Sequence, residues 1–485
     1  MINYSEIEFT VKMGRRLTCI IFSLQLNGFM SSVFLSLTQL KMKNNITSPL
    51  LCAAAILGMI TGAISAPKKL LVVTVTKGFR HGSIPTAEKV LGQLAQSSGD
   101  FEVDYVRNDR DMKTKMTFES LKKLDGVIFA NTTGELPLPD KEAFIRWVKS
   151  GKAFIGMHSC SDTFHGFPAF VDMLGGEFQT HGAQATVDCL NEDLNHPAVR
   201  HLGKSFTIHD EIYLLKNFHR NRVHGLLTLD KHPNSRMPGD YPIAWCKKVG
   251  RGNIFYTSLG HRNDVWENGK YQAHILGGIR WALGLIKGDS QPQDTRYIVS
   301  QEEEREGFKA LFNGVDLDGW RFRNPEGLKS WSAQNGMLVN EIPSGKHGTD
   351  IVSNSKFSDF IVRYEYMIPA GSNSGFYLRG RHEIQILDDY KSGTPKPGGN
   401  GGIYGFSAPS KFVSRKPGQW QSGEATIRGN LVTVVLNGVK IHDGLKVDRS
   451  TGGHLDENVD EPGPIMLQGD HGAIAFRKIR IKSLQ

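Results

Sequence analysis

One change of pattern near residue 289 most constrains how this chain can fold. Between residues 68 and 288, runs typical of buried parallel strands, such as Lys69–Thr76 (K-L-L-V-V-T-V-T), alternate with segments of helical spacing, such as Ile84–Gln96. This alternation predicts an open α/β sheet with helices on both faces. The first domain is therefore assigned to residues 68–288, with Tyr271–Leu285 as its last helix.

Beyond a polar linker at residues 289–306, short alternating runs replace that pattern. Phe360–Met367 and Leu431–Leu436 are two such runs, and Asn437-Gly438 after the second is a hairpin-turn signal. The 53 glycines against only 20 prolines suit turn-rich β structure. Residues 307–485 are therefore predicted to form an antiparallel all-β sandwich of the jelly-roll type, which makes the chain multidomain.

The first 65 residues are predicted to be a presequence. From Met42 the chain carries an early lysine, an apolar run over residues 50–60, and small residues before a cleavage point after Ser65, which are the three regions of a secretory signal. We expect Met42 to be the true start and the mature protein to be periplasmic or secreted by a bacterium. The alternative for Leu17–Leu40 is a membrane anchor; no stable span is expected in the mature form.

Charge and cysteine content exclude further classes of protein. The net charge of +9 includes five cations and two anions in the first 65 residues, and the rest is spread without basic runs, so no nucleic-acid partner is expected. The mature chain keeps Cys160, Cys189 and Cys246, whose odd number and wide spacing predict neither a disulfide framework nor a zinc knuckle. The oligomeric state does not follow from the sequence.

Histidines and carboxylates follow the predicted strand ends of the first domain, which is where open α/β sheets bind ligands. They occur in five motifs: Gly78-Phe79-Arg80-His81, His158-Ser159-Cys160-Ser161-Asp162, Gly175-Gly176-Glu177-Phe178 leading to His181, His209-Asp210-Glu211, and Leu259-Gly260-His261. In this order the motifs resemble the ThuA-like (trehalose utilisation) family over residues 68–288. The resemblance implies a fold similar to class I glutamine amidotransferases.

These motifs supply candidate ligands for a sugar or a divalent metal ion, since imidazole and carboxylate suit zinc-like ions. The candidates are His81, His158, His181 and His261 as sugar-binding residues, with Asp210 and Glu211 as the metal-binding pair. The alternative is a polar sugar pocket without metal. Amidotransferases place a nucleophilic cysteine where Gly156-Met157-His158 has histidine, so no glutaminase activity is expected and Cys160 is predicted to be a packed residue.

From Gly307 to Leu484 the sequence resembles the 3-keto-disaccharide hydrolase family. The matching motifs are Leu311-Phe312-Asn313-Gly314, Leu317-Asp318-Gly319-Trp320, Trp331, Asn373-Ser374-Gly375-Phe376-Tyr377-Leu378-Arg379, Glu383-Ile384-Gln385-Ile386-Leu387-Asp388, Gly402-Ile403-Tyr404, Gly418-Gln419-Trp420, and Gly463-Pro464-Ile465-Met466-Leu467-Gln468 with His471-Gly472. The resemblance implies a concanavalin- or laminarinase-like jelly roll and a saccharide substrate with a ketone at C3.

The run E-I-Q-I-L-D is predicted to carry the chemistry. Strand alternation places Glu383 and Gln385 on one face, and a bulge near Leu387 would return Asp388 to it. The pattern is similar to the E-I-D-x-x-E strand of laminarinase-type glucanases. Because Gln385 replaces the middle acid, ordinary retaining hydrolysis by a glucanase is disfavoured.

The keto-sugar resemblance implies roles for these residues. A C3 ketone acidifies the C2 proton, so a base can remove it and the C1 aglycone leaves by elimination, with net hydrolysis or a lyase product. The predicted catalytic residues are Glu383, Asp388, His471 and Arg379. Glu383 or His471 would be the base, and Arg379 or a bound cation would stabilise the enolate. The predicted substrate-binding residues are Gln385, Arg381, Tyr404 and Trp420. The alternative function is a lectin-like module that brings glycans to a sugar-processing ThuA-like domain.

Overall fold

The computed structural model describes residues 66–484 together with the backbone of three strands near the N-terminus, β1 (Asn3–Val11), β2 (Arg15–Leu26) and β3 (Phe29–Val33). These three strands pair in an antiparallel sheet within a unit, Met1–Ala66, that is separate from Pro67–Gln485. The predicted signal segment, residues 42–65, lies outside the described residues. No helix in the described part of the chain is both long and apolar enough to cross a membrane.

The α/β domain is built on a nine-stranded sheet and a separate two-stranded ribbon. Its strands are β4 (Lys68–Val73), β5 (Phe101–Val106), β6 (Gly126–Ala130), β7 (Ala153–Met157), β8 (Glu177–His181), β9 (Ala185–Asn191), β10 (Ser205–Asp210), β11 (Tyr213–Lys216), β12 (His224–Lys231), β13 (Pro238–Val249) and β14 (Gly252–Thr257). The main sheet has the order β10-β9-β12-β13-β14-β7-β6-β4-β5, and β8 pairs with β11. The half from β14 to β5 is parallel, and the other half is antiparallel.

Helices cover both faces of this sheet, as the sequence predicts. They are α1 (Ile84–Ser98), α2 (Asp109–Lys115), α3 (Phe118–Leu121), α4 (Lys141–Lys149), α5 (Pro168–Leu174), α6 (Asn263–Glu267) and α7 (Gly269–Ala282). Leu91 of α1 and Ile275 of α7 belong to one apolar core, while Phe144 and Trp147 of α4 belong to the core on the opposite face. Asp140 caps α4 by accepting a hydrogen bond from the amide of Ala143 at 2.8 Å, which sets the start of that helix.

The second domain is an all-β sandwich. Its strands are β15 (Lys309–Ala310), β16 (Trp320–Phe322), β17 (Trp331–Gln334), β18 (Met337–Asn340), β19 (Ile351–Phe357), β20 (Phe360–Met367), β21 (Asn373–Leu378), β22 (His382–Leu387), β23 (Gln421–Arg428), β24 (Leu431–Leu436), β25 (Val439–Lys446), β26 (Gly463–Leu467) and β27 (Ile474–Ser483). An eight-stranded sheet runs β17-β18-β27-β20-β23-β24-β25 with β15 beside β27, and a five-stranded sheet runs β16-β19-β26-β21-β22. The rings of Tyr364 and Phe376, one from each sheet, stack with centroids 3.9 Å apart in the core between them.

Residues 289–306, predicted as a polar linker, are tied to the sandwich by ion pairs. The segment contains a short helix, α8 (Gln301–Arg305), whose Glu303 pairs with Arg480 at 2.8 Å and with Arg363 at 3.0 Å. The sequence shows only the polar composition of this segment, since the partners lie at least 60 residues away.

The eight-stranded sheet and the loops beside it make the hydrogen bonds to the α/β domain. Trp420 donates from Nε1 to Asp230 at 2.8 Å, and the Lys231 ammonium donates to the carbonyl of Gly418 at 2.7 Å. The outer face of the five-stranded sheet, which carries Glu383, lies on the other side of the sandwich core.

Candidate functional site

Two groups of polar side chains stand out, one in each domain, and the first lies on the outer face of the five-stranded sheet. On β22, Ile384 and Ile386 point into the sandwich core, so Glu383 and Gln385 face outward together, as the alternation predicts. Both outward side chains are nevertheless buried. Residues 448–461 cover Glu383, whose amide donates to the Thr451 hydroxyl at 2.9 Å, while Gly401 and Gly402 exchange backbone hydrogen bonds with Gln385.

Glu383 is the centre of this group. Its neighbour across the strand pair is Tyr377, whose hydroxyl interacts with the Glu383 carboxyl group and donates to the Gly452 carbonyl at 2.9 Å. Only 3% of Glu383 is exposed. Burial, more than any neighbouring charge, raises the pKa of Glu383 to about 7. A carboxyl group with that pKa exchanges a proton readily near neutral pH.

Three further ionisable side chains influence Glu383. Asp350 and Asp470 act to raise its pKa, and His471 acts to lower it. Asp350 is buried and accepts from the Gly469 amide at 3.0 Å, and burial raises its own pKa as well. His471 is half exposed and hydrogen-bonds through Nδ1 to Asp470, which leaves Nε2 for a ligand. Thus Glu383 and His471, two predicted catalytic residues, lie near each other.

The two arginines predicted to belong to this site pair with residues outside it. Arg379, in the turn after β21, donates to the Ser358 carbonyl at 2.7 Å and pairs with Asp359 at 2.8 Å. Arg381 pairs with Asp456 at 2.6 Å and donates to the Glu461 carbonyl at 2.6 Å. Both guanidinium groups therefore hold loops in place, and neither is free to stabilise an enolate or bind a sugar.

Of three more predicted residues on this domain, Gln385 shares the outer face with Glu383, whereas Asp388 and Trp420 do not. Asp388 accepts from the Gly371 amide at 2.8 Å, and β21 and β22 pair without a register shift, so the expected bulge that would return it to the Glu383 face is absent from this pair. Gln385 accepts from its neighbour's amide through Oε1 at 3.1 Å. Trp420 lies in the domain contact, with Arg477 3.9 Å from its ring centroid, and not on the outer face.

Tyr404 remains in a position to contact a sugar. Its side chain is 41% exposed, and its amide donates to the Glu383 carbonyl at 3.1 Å. A Cβ atom at Gly452, in the segment that covers Glu383, would meet this ring at 3.4 Å. Exposed aromatic rings beside a polar site are suited to stacking on the apolar face of a sugar ring.

The second group lies at the carboxyl end of the parallel strands in the α/β domain. His158 follows β7 directly, His261 lies four residues after β14, His81 is in the loop after β4, and Glu211 joins β10 to β11. His158 has a φ of 49°, a left-handed conformation that turns its side chain at the end of β7. One ligand atom from each of the four residues lies within 4.8 Å of the others.

The contacts within this group are short. Nε2 of His158 lies 3.1 Å from Nε2 of His81, and Nδ1 of His261 lies 3.2 Å from a Glu211 carboxylate oxygen. Burial lowers the pKa of His81 to about 4 and holds that of His158 well below its usual value. Burial opposes ionisation of Glu211, but the hydrogen bond and charge of His261 hold its pKa below the usual value. Two neutral imidazoles thus face a carboxylate and a third histidine.

The remaining predicted residues of this domain lie around the four converging residues, some buried and some at the exposed rim. Asp210, predicted to share the metal with Glu211, accepts from the Gly260 amide at 2.7 Å and so positions the His261 loop; it is not among the four converging residues. His181 lies at the rim, 43% exposed, with Nδ1 3.3 Å from Glu211. Cys160 is fully buried, and burial raises its thiol pKa well above the usual value, in keeping with a packed residue.

Several residues at both sites were missed by the sequence reasoning. Tyr213 places its hydroxyl 3.1 Å from Nε2 of His158, and the 66% exposed Phe79 packs edge-on against His81 with centroids 4.8 Å apart. Phe79 belongs to the first of the five motifs, so its place at the site could have been inferred from the sequence. Tyr377 of the sandwich likewise belongs to a motif quoted above, whereas Tyr213 and Asp350 lie on or beside ordinary strands and belong to no motif.

A cleft of about 850 Å³ separates the two domains but lacks comparable chemistry. Arg220, on its wall, pairs there with Asp240 and with Glu192. Tyr213 also lines this cleft. Arg220 is thus held by two carboxylates, and we assign no reaction to this cleft.

Comparison with known families matches the two domains separately. Residues 69–282 match the model of the trehalose utilisation family, ThuA, and residues 307–482 match the model described as a 3-keto-alpha-glucoside-1,2-lyase-like domain. Both resemblances inferred from the sequence motifs are confirmed. The second match assigns residues 307–482 to a carbohydrate-related domain family.

Solved structures are similar to parts of this chain. A presumed glycosyl hydrolase from Parabacteroides distasonis is 30% identical, with 37% of this chain and 84% of that chain covered and a TM-score of 0.31. A ThuA-like protein from Parabacteroides merdae is 21% identical, with 47% of this chain and 94% of that chain covered and a TM-score of 0.40. No curated protein matches the chain.

Proposed function

We propose that this fusion of a ThuA-like domain with a 3-keto-alpha-glucoside-1,2-lyase-like domain is an exported enzyme that cleaves 3-keto-disaccharides or 3-keto-glycosides. The observation that carries the proposal is the position of Glu383, a buried carboxyl group on the outer sheet face whose pKa burial raises to about 7. A general base works best when its pKa lies near the operating pH. The domain in which Glu383 lies is the one that matches the lyase-like family.

The chemistry follows from the ketone at C3 of the sugar. Glu383 takes the C2 proton, and the electron pair of that C–H bond enters the enolate conjugated with the C3 carbonyl. Those electrons then form the C1–C2 double bond while the C1–O bond breaks, and the departing oxygen takes a proton to leave as the free alcohol. Addition of water at C1, with return of a proton to C2, gives net hydrolysis; release before that step gives the unsaturated keto-sugar.

His471 is suited to supply the proton for the departing oxygen. It is half exposed near the buried Glu383, and its contact with Asp470 is made through Nδ1, so Nε2 is the nitrogen that can face a ligand. A buried base and a partly exposed acid at one site match the two ends of an elimination, since the C2 hydrogen is attached to a ring carbon whereas the aglycone extends away from the ring. Tyr404 at the rim supplies a face for the sugar.

Turnover of a 3-keto-glucoside with a chromogenic aglycone tests the proposal, using the mature chain that begins at Ala66. Glu383→Gln is nearly isosteric and should lower kcat by about 10²–10⁴-fold, the usual range for loss of a general base. The matched control is Glu424→Gln, a carboxylate of the eight-stranded sheet that pairs with Arg363; it should retain full activity. The unoxidised glucoside should be a poor substrate, because its C2 proton is not acidic.

Two results would overturn the proposal. Full activity of Glu383→Gln would remove this residue from the mechanism, and equal rates on the keto and unoxidised glucosides would return the domain to ordinary glycoside hydrolysis. Saturable binding of the keto-glucoside without turnover by the wild-type chain would favour the lectin-like alternative.

Export rests on the sequence from Met42 to Ser65, which has the charged, apolar and small-residue regions of a secretory signal. N-terminal sequencing of the protein purified from its own host should give a chain that begins near Ala66 in the periplasmic or extracellular fraction. A soluble cytoplasmic product that retains Met1 would contradict export while leaving the proposed reaction intact.

A further inference from the structure

We propose that His81, His158, Glu211 and His261 bind one divalent transition-metal ion of the zinc class at the strand ends of the α/β domain. The assignment goes beyond the proposed function, which concerns the other domain. It starts from the convergence of these four residues, since one ligand atom from each lies within 4.8 Å of the rest. Four separate segments, after β4, β7, β10 and β14, supply one ligand each.

The distances between the ligand atoms suit a common centre. Bonds of about 2.0–2.2 Å to nitrogen and oxygen in a tetrahedral zinc site set neighbouring ligand atoms roughly 3.3–3.6 Å apart. Nε2 of His158 lies 3.1 Å from Nε2 of His81, and a Glu211 oxygen lies 3.2 Å from Nδ1 of His261 and 3.9 Å from Nε2 of His158. These separations bracket the expected edge of the tetrahedron.

The outer contacts of two histidines orient them as metal ligands. Nδ1 of His158 lies 2.7 Å from the Ser258 carbonyl oxygen, so this nitrogen carries the proton and Nε2 keeps its lone pair. Nδ1 of His81 lies 3.3 Å from the Ser159 hydroxyl, and its Nε2 likewise turns inward. Metal-binding histidines are typically held in this way, with the second ring nitrogen bonded to a backbone carbonyl or another polar group.

The donor set selects a class of ion and leaves one side accessible. Three imidazoles and one carboxylate suit zinc and its transition-metal neighbours, whereas calcium and magnesium prefer oxygen donors throughout. Access is from the side of His181 and Phe79, whose side chains are 43% and 66% exposed. Zinc expands to five ligands during reactions, so sugar hydroxyl or carbonyl oxygens are the class of external ligand that this site would take.

A metal-binding assay tests the assignment. The mature chain is purified without a histidine tag, and its metal is removed with a chelator. Elemental analysis after loading with Zn²⁺ should give one equivalent per chain, and Co²⁺ should give the visible absorption of a low-symmetry site. Glu211→Gln and His261→Gln should each weaken affinity by more than the roughly 10–100-fold typical of outer-shell substitutions. The control is His209→Gln, an exposed histidine on β10 whose ring contacts Thr186 at 3.0 Å outside the group.

Circular dichroism of the metal-free variants distinguishes loss of binding from loss of folding. If Glu211→Gln does not fold, the test relies on His261→Gln, since His261 is partly exposed. Substoichiometric Zn²⁺ and Co²⁺ on the folded wild-type chain would overturn the assignment, as would full retention of the metal by both variants. Loss of metal in His209→Gln to the same extent would also contradict it. None of these results depends on cleavage of a keto-glycoside, so the two proposals fail separately.

Discussion

The Glu383 carboxyl group lies directly over Gly375 of the neighbouring strand, where a Cβ atom would come within 2.3 Å of Oε1 and 2.9 Å of Cδ. Side-chain atoms cannot approach that closely, and the covering segment leaves Glu383 little room to move. Glycine is therefore needed at position 375 for space above the sheet. The position of the proposed base thus depends on a residue that has no chemistry of its own.

Gly375→Ala should displace the Glu383 carboxyl group and lower kcat on a 3-keto-glucoside nearly as much as Glu383→Gln does. The physical reason is the steric overlap of the new methyl group with Glu383. Steady-state kinetics with a circular dichroism check for folding measure the effect. Gly269→Ala, where a Cβ meets nothing within 4 Å, is the control and should be neutral. An unchanged kcat in Gly375→Ala would show that Glu383 is not held in its catalytic position by this contact.

The pH profile of kcat/KM should report the ionisation of Glu383. A general base must be deprotonated, and burial raises the pKa of Glu383 to about 7, so the rate should rise with pH through that region and level off above it. The residual activity of Glu383→Gln should lack this rise. A wild-type rate that has already levelled off by pH 5 would be inconsistent with Glu383 as the base.

The same ionisation predicts how the stability of the sandwich depends on pH. Between pH 4.5 and about 7 the folded chain keeps a proton on Glu383 that the unfolded chain has lost, so the free energy of unfolding should fall as pH rises through this window. A pKa difference of this size corresponds to roughly 3 kcal/mol. Urea unfolding at pH 5 and pH 8 measures it, and Glu383→Gln should gain stability over the wild type at pH 8. Equal pH dependence in both proteins would refute the perturbed pKa.

Trp420 should prove structural and not sugar-binding. Its indole Nε1 donates to Asp230 across the domain contact at 2.8 Å, so Trp420→Phe leaves a carboxylate oxygen without its donor. We expect a stability loss of about 1–3 kcal/mol, seen as a lower Tm, with KM for the keto-glucoside unchanged. Asp230→Asn keeps an acceptor for the indole and should lose less. A large rise in KM for Trp420→Phe would return this residue to the substrate site.

The elements of the fold were predictable because buried strands and amphipathic helices leave a periodic pattern in the sequence. The strands Phe360–Met367 and Leu431–Leu436 begin and end where the pattern places them. The histidine group was partly predictable for a related reason, since the carboxyl ends of parallel strands meet at one edge of a sheet. The sequence does not indicate which of two adjacent carboxylates faces the histidines. In the structure Glu211 does so, whereas Asp210 accepts from the Gly260 amide.

Positions in turns were not predictable, because side-chain direction there follows neither the helical nor the strand period. Arg379 and Arg381 both precede the strand of Glu383 in the sequence, yet the turn directs them to Asp359 and Asp456, which come from other loops. Asp350, which lies just before β19, could not be predicted for a different reason: its contact with Gly469 joins residues that are distant in the sequence.

The fate of the C2 hydrogen tests the central claim most directly. A 3-keto-glucoside carrying deuterium at C2 is incubated with residues 66–485 in ordinary water, and the free keto-sugar is incubated alone to correct for spontaneous exchange. If Glu383 removes the C2 proton, the sugar product should have lost the label, whether it is released unsaturated or after water has added. Quantitative retention of deuterium at C2 in the product of wild-type turnover would contradict proton abstraction and with it the proposed reaction.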